Sequence, residues 1–184
     1  MKKDTVCKQA IWAGAFVIMI ATMIILQYHF VTSPGAYADR DFMSLWSGGK
    51  AVLHGLNPYD PAVWLPLREE YGSTWEPDLR APFPLWTSVL LVPLAVLPLD
   101  WAAAFWLTLN EILLGLSLYF LARQVKLKKL TLLELVILVV GVFFFRASTV
   151  SLFVGQISIL LLFLLISYFL FYSQGRYFIA GFVL

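Results

Sequence analysis

The chain is expected to be an all-α integral membrane protein, on three observations. It is too apolar for a soluble domain: 61% of its 184 residues are hydrophobic and 13% are charged, where soluble domains carry about 25% charged residues. The apolar residues come in long uncharged runs of the length that crosses a bilayer. The acids are gathered in one place, with Asp39, Asp41, Asp60, Glu69, Glu70, Glu76 and Asp78 all between residues 31 and 84. A net charge of +2 without a basic arm or basic–aromatic interleaving argues for no nucleic-acid partner. Cys7 is the sole cysteine, so no intrachain disulfide and no zinc-type ligand set is expected. Asp39 and Asp41 lie near each other, but no clear metal site is legible, and no cofactor is expected.

The elements follow in order. Residues 10–30, AIWAGAFVIMIATMIILQYHF, predict the first transmembrane helix. Lys2, Lys3 and Lys8 precede it and Ala36-Tyr37-Ala38 has the look of a cleavage site. A signal core, however, is about 7–15 residues, and this run is longer, so an uncleaved span is expected. Residues 31–84 form an outer loop. Residues 85–98 contain Pro93 and end at Pro98. A helix this short rises about 20 Å against a hydrocarbon core of about 30 Å, and proline breaks its hydrogen-bond ladder. A short or re-entrant helix is therefore expected, buried against protein. Full spans are expected over 101–122, 130–145 and 157–172, with a polar break, RASTVSLFVGQ, before the last. A further helix starts at 177–184 and is read as truncated. The whole is expected to be one membrane domain.

Positive-inside counting sets the orientation. Lys2, Lys3 and Lys8 place the N-terminus in the cytoplasm, and Arg123, Lys126, Lys128 and Lys129 form a second cytoplasmic cluster. The acidic loop and the break at 146–156 then share the outer face. The setting expected is a multi-pass protein of a bacterial plasma membrane.

The outer loop is unlike a linker. It carries Tyr37, Phe42, Trp46, Tyr59, Trp64, Tyr71, Trp75 and Phe83, aromatic residues of the kind that favour a membrane interface. Asp41 to Leu53 predicts a helix, with Phe42, Leu45, Trp46, Gly49 and Leu53 on one face. Asp41 is placed to cap its N-terminus, Gly55 to end it, and Asn57-Pro58 to turn the chain. The loop is thus expected to form short amphipathic helices parallel to the membrane.

DFMSLWSGGKAVLHGLNPYDP resembles the pattern after the first helix of the GT-C glycosyltransferases, most closely family 87, the polyprenyl-phosphate-mannose-dependent mannosyltransferases. The matching residues are Asp41-Phe42, Trp46, Gly48-Gly49 and Gly55-Leu56-Asn57-Pro58-Tyr59. APFPLWTSVLLVPLAVLP resembles the family's Tyr-Pro-Pro segment, with Ala81-Pro82-Phe83-Pro84 in its place. VSLFVGQISILLLFLL resembles its Gly-Gln-x-Asn segment, with Ser158 for the asparagine. Members of that family are considerably longer. The resemblance therefore implies the N-terminal part of such an enzyme or a short relative, inactive alone.

The resemblance also implies a chemistry. A hexose, mannose in that family, passes from a polyprenyl-phosphate donor to a hydroxyl of a lipid-linked or glycan acceptor on the outer face. Asp41 matches the family's loop aspartate, the expected general base, since a hydroxyl is a poor nucleophile until a carboxylate takes its proton. The departing lipid phosphate needs cations or N–H groups, for which Arg146, Lys50 and Arg80 are candidates. Gln156 suits sugar hydroxyls, and Trp46 and Tyr59 a substrate surface. The prenyl tail would lie in a groove between helices, with membrane lipid as a further partner.

Each of these has a plainer reading. Asp41 can be only a helix cap, and one residue can serve as both cap and base. Asp39 is expected to be a solvated neighbour, and His54 structural. Arg146 suits snorkelling to the interface, and Gln156 a packing hydrogen bond. Glu111, an acid inside a span, must face protein or water, with Asn110 and Thr108 close by. Glu134 is expected to reach the cytoplasmic interface. Two other classes remain open: a non-catalytic membrane assembly or lipid-binding protein derived from the same fold, and a transporter. The latter usually shows inverted repeats and broken helices at mid-depth, and the sequence has no internal repeat.

Overall fold

A computed structural model of the chain describes residues 37–73, 83–124 and 131–183, with scattered positions between 21 and 33. Every regular element among these is a helix. The expected first span, 10–30, lies largely outside the described residues, though those described between 21 and 29 are helical. In chain order the helices are α1 (Asp41–Leu53), α2 (Pro61–Glu70), α3 (Leu85–Ala95), α4 (Leu99–Gln124), α5 (Leu132–Phe144), α6 (Arg146–Val154), α7 (Ser158–Ser173) and α8 (Tyr177–Val183).

The chain divides into two compact units. One is formed by residues 26–107 with 154–156. The other is formed by the described residues among 21–25, 108–153 and 157–183.

In the first unit α1 packs along α3. Gly48 and Gly49 make that approach close. A Cβ built on Gly49 would stand 3.0 Å from the carbonyl carbon of Leu91 and 3.3 Å from the Ala95 Cβ. One on Gly48 would stand 2.5 Å from the Ser88 hydroxyl. Phe42, Met43, Leu45, Trp46, Ser47, Gly48, Gly49 and Ala51 are all buried. This corrects the expectation that α1 keeps one face wet. A helix buried around most of its circumference is a core helix: α3 covers the face that carries Gly49, and Arg68 of α2 reaches Ser44 on another side. The expected terminators are present. His54 closes α1, with its Nδ1 2.8 Å from the Lys50 carbonyl. Gly55 follows, and the Asn57 side chain accepts from the Tyr59 N–H at 3.0 Å. α2 begins with Asp60 capping the Ala62 N–H at 2.9 Å and a proline at its first position.

In the second unit Leu113, Leu114 and Ile159 form a core, joined by Leu109, Val142, Phe143, Leu152, Leu160 and Phe163. Polar residues of the spans are buried with them. Asn110, Glu111 and Ser117 are each 5% exposed or less, and the Ser117 hydroxyl donates to the Leu113 carbonyl at 2.7 Å. The Gln124 amide donates to the Ile166 carbonyl at 3.2 Å.

Two details differ from expectation. The break over 146–156 is mostly helix: α6 continues α5 after a bend of 55° at Phe145. Only Gly155, Gln156 and Ile157 form the turn into α7. An apolar flank on both sides lets Arg146-Ala-Ser-Thr stay helical. Glu134 takes a helix-capping role that the sequence reading did not assign to it. With Thr131 it forms a capping box, its carboxylate accepting from the Thr131 N–H at 2.7 Å.

Leu99–Leu121, within α4, is the one described helix long and apolar enough to cross a bilayer by itself. The bent pair Val136–Phe144 and Arg146–Val154 passes as one broken span, and Leu85–Ala95 and Ser158–Ser173 are shorter apolar helices.

Candidate functional site

Asp41 opens α1. It is the first helical residue, not the cap: Arg40 occupies the cap position, extended at φ −119° and ψ 163°, and no side chain caps the helix. The expectation of an aspartate N-cap is therefore corrected. The Tyr37–Arg40 turn, with the Arg40 N–H on the Tyr37 carbonyl at 3.1 Å, shifts the helix start one residue earlier. From this position Asp41 complements the helix dipole. It is half-buried, and no other described residue hydrogen-bonds its carboxylate.

The neighbouring Phe42 is completely buried. Its ring meets Tyr37 edge-on at 5.8 Å and stacks with Trp106 at 6.0 Å. Gly155 lies against the Phe42 Cβ. A Cβ on Gly155 would stand 2.6 Å from the Phe42 Cβ and 3.5 Å from the Trp106 ring. Gly155 also has a positive φ of 73°, a conformation costing an L side chain roughly 1–2 kcal/mol. The Trp106 indole N–H donates to the Gly155 carbonyl at 2.9 Å within the core. Gln156 is half-buried at the next position. Two residues singled out by sequence, Asp41 and Gln156, are thus attached to two directly packed neighbours, Phe42 and Gly155.

A second group surrounds the same segment. Asp39 is half-buried, and its Oδ1 accepts from the Ser73 hydroxyl at 2.6 Å. This corrects the solvated reading of Asp39: the turn after α2 brings Ser73 onto it. Gly72, at φ 74°, allows that turn, with the Ser73 N–H returning to the Arg68 carbonyl at 3.0 Å. Arg68 is 4% exposed. Its Nη2 donates to the Ser44 hydroxyl at 3.3 Å, and its guanidinium lies 5.4 Å from the Trp64 ring centroid. Burial pulls the Arg68 guanidinium below its ordinary value, opposed by the charge of Asp39. Burial likewise lowers Arg40, opposed by Tyr37. Sequence reasoning passed over Arg68. The available signal was its spacing of four from Trp64 on α2, which puts a cation and an aromatic ring on one helix face.

The remaining candidates separate. Trp46 is 1% exposed; its indole N–H donates to the Leu97 carbonyl at 3.2 Å and its ring meets Tyr71 edge-on. That leaves no open ring face for a ligand. The Lys50 ammonium donates to the Ala95 carbonyl at 3.2 Å, at the C-terminal end of α3, and sits 5.3 Å from the Trp46 ring. Beside it is a shallow cavity of about 430 Å³ bordered by Lys50, His54, Val63 and Leu67. Tyr59 is exposed, its hydroxyl donating to the Phe83 carbonyl at 3.1 Å. Arg146 is the exposed first residue of α6, in the other unit. Arg80 lies outside the described residues. No group of three metal-ligating side chains occurs among the described residues.

Among the described residues every regular element is a helix, one of them long and apolar enough to cross a membrane, and Asp41 stands at the start of a buried helix. The family model of glycosyltransferase family 87 matches residues 82–184, more than half of the chain, and the chain belongs to that family. Neither curated proteins nor solved structures give a match. Family membership makes transfer of a sugar from a donor to an acceptor the general activity. Trp106, Arg146, Gly155 and Gln156 fall inside the matched range, while Asp41 precedes it.

Proposed function

We propose that the protein is a multi-pass membrane glycosyltransferase that moves a hexose, mannose, from a polyprenyl-phosphate donor to a lipid or glycan hydroxyl on the outer face. Asp41 is the general base. The acceptor oxygen attacks the anomeric carbon, and its proton passes to the Asp41 carboxylate. The bond from that carbon to the phosphate oxygen breaks with inversion, and polyprenyl phosphate departs with the electron pair. Gln156 supplies amide contacts to sugar hydroxyls. Arg146 and Arg80 are cations suited to a phosphate by residue type. The lysine and arginine bias supports a cytoplasmic N-terminus with residues 31–84 outside.

The observation that carries this reading is the packing of Gly155 on Phe42. It ties the family's Gly-Gln turn to the residue beside an aspartate whose carboxylate is not engaged by described residues. The test is Asp41→Asn in the full-length protein, reconstituted in proteoliposomes with polyprenyl-phosphate mannose and membrane glycolipids. Loss of the base is expected to lower turnover about 100- to 10,000-fold with an unchanged unfolding midpoint. Turnover within twofold of the parent would remove the base assignment.

A further inference from the structure

We propose that Arg68 and Ser73, at the C-terminal end of α2, are positioning residues that hold Asp41 by gripping the chain on both sides of it. The inference rests on the reading of Asp41 as base. Asp39 lies two residues before Asp41 and accepts from the Ser73 hydroxyl at 2.6 Å. Ser44 lies three residues after it and accepts from the Arg68 guanidinium at 3.3 Å. The two anchors are themselves tied, since the Ser73 N–H donates to the Arg68 carbonyl at 3.0 Å. Trp64, 3% exposed, backs the guanidinium. Asp41 has no side-chain bond of its own among the described residues, so its place is set by its backbone, and these contacts flank that backbone.

A stability role alone accounts poorly for this arrangement. Burying an arginine with its counter-charge is generally no better than burying apolar side chains of similar volume. A base, by contrast, must be held within a fraction of an ångström, and a displacement of about 1 Å can cost about 100-fold in rate. Arg68 gains its value by fixing where Asp41 sits.

The test has two arms. In a Cys7→Ser background, a nitroxide is attached at Asp41→Cys, and separately at His54→Cys, on the exposed end of α1. Electron paramagnetic resonance is compared for parent, Arg68→Met and Ser73→Ala. The expected result is a label at position 41 that is immobile in the parent and freed in both variants, with position 54 unchanged. A label at 41 that stays immobile in both variants overturns the proposal. If Arg68→Met does not fold, Ser73→Ala decides.

In the second arm, the full-length protein with Asp41 intact is assayed with polyprenyl-phosphate mannose. Arg68→Met and Ser73→Ala should lower kcat about 10- to 100-fold and leave KM for the donor within twofold. A lowered unfolding midpoint with unchanged kcat would make Arg68 merely structural and overturn the proposal. If Asp41→Asn keeps its turnover, the base reading fails, and the label data then judge the clamp separately.

Discussion

Replacing Gly155 by alanine should be among the most damaging single-methyl additions in this protein. Two effects add. The residue has φ 73°, where an L side chain costs roughly 1–2 kcal/mol. The new methyl would also stand 2.6 Å from the Phe42 Cβ, well inside van der Waals contact, and overpacking of this kind costs about 1–3 kcal/mol. Phe42 cannot swing aside, because the clash is with its Cβ, which is fixed to the α1 backbone. The sum is about 2–5 kcal/mol, or a fall of about 4–20 °C in melting temperature at about 2–4 °C per kcal/mol for a chain of this size. Thermal unfolding in detergent micelles, followed by tryptophan fluorescence, is the assay, and Trp106 is a local reporter through its bond to the Gly155 carbonyl. Gly115→Ala in α4 is the control. Its Cβ meets nothing within 4 Å, so helix propensity should leave stability unchanged or raise it by up to about 1 kcal/mol. If Gly155→Ala melted within a degree of the parent, the contact between the Gly-Gln turn and α1 would not exist in solution.

Gly49→Ala should also destabilise, by about 1–3 kcal/mol of overpacking against the Leu91 backbone less about 1 kcal/mol of helix propensity. A variant more stable than the parent in the same melt would mean that α1 and α3 do not approach as closely as 3.0 Å from a Gly49 Cβ to Leu91. Tyr71 gives a pH prediction. Burial first, then Glu70 and Asp100, raise its hydroxyl above the ordinary 10.0. A raised folded value means that the stabilisation is fully present below about pH 10 and is lost as pH climbs through the folded value. Denaturant midpoints measured across neutral and alkaline pH should therefore decline above pH 10 more steeply in the parent than in Tyr71→Phe, and identical slopes would refute the assignment.

The helical boundaries were legible because their signals are local. Gly55 and Asn57-Pro58 end α1, and Pro84 and Pro98 flank α3, each by a constraint on its own backbone, while Pro93 is accommodated inside the last turn of α3. The box formed by Thr131 and Glu134 was equally local, but the sequence reading passed over its Thr-x-x-Glu spacing. The burial of α1 was not legible. Its pattern fits one wet face, and that face is met only once α2 folds back and Arg68 reaches Ser44. The bracket on Asp41 was hidden for a related reason. Asp39 meets Ser73, and Ser44 meets Arg68, only after α2 folds back on α1, and no periodicity within either helix encodes that return.

The family match begins after Asp41, yet the contacts of α1 bind that residue to the matched part of the chain. Trp46 and Lys50 each donate to a carbonyl at or just beyond the end of α3, those of Leu97 and Ala95. Gly49 lies against Leu91. Phe42 packs on Trp106 and Gly155. All five partners lie within residues 82–184, and all belong to the same compact unit as α1. The candidate base is therefore not on a free loop whose position a membrane or a partner would have to set. It is mounted on a core helix by side chains at successive turns, which is the rigidity a positioned carboxylate needs.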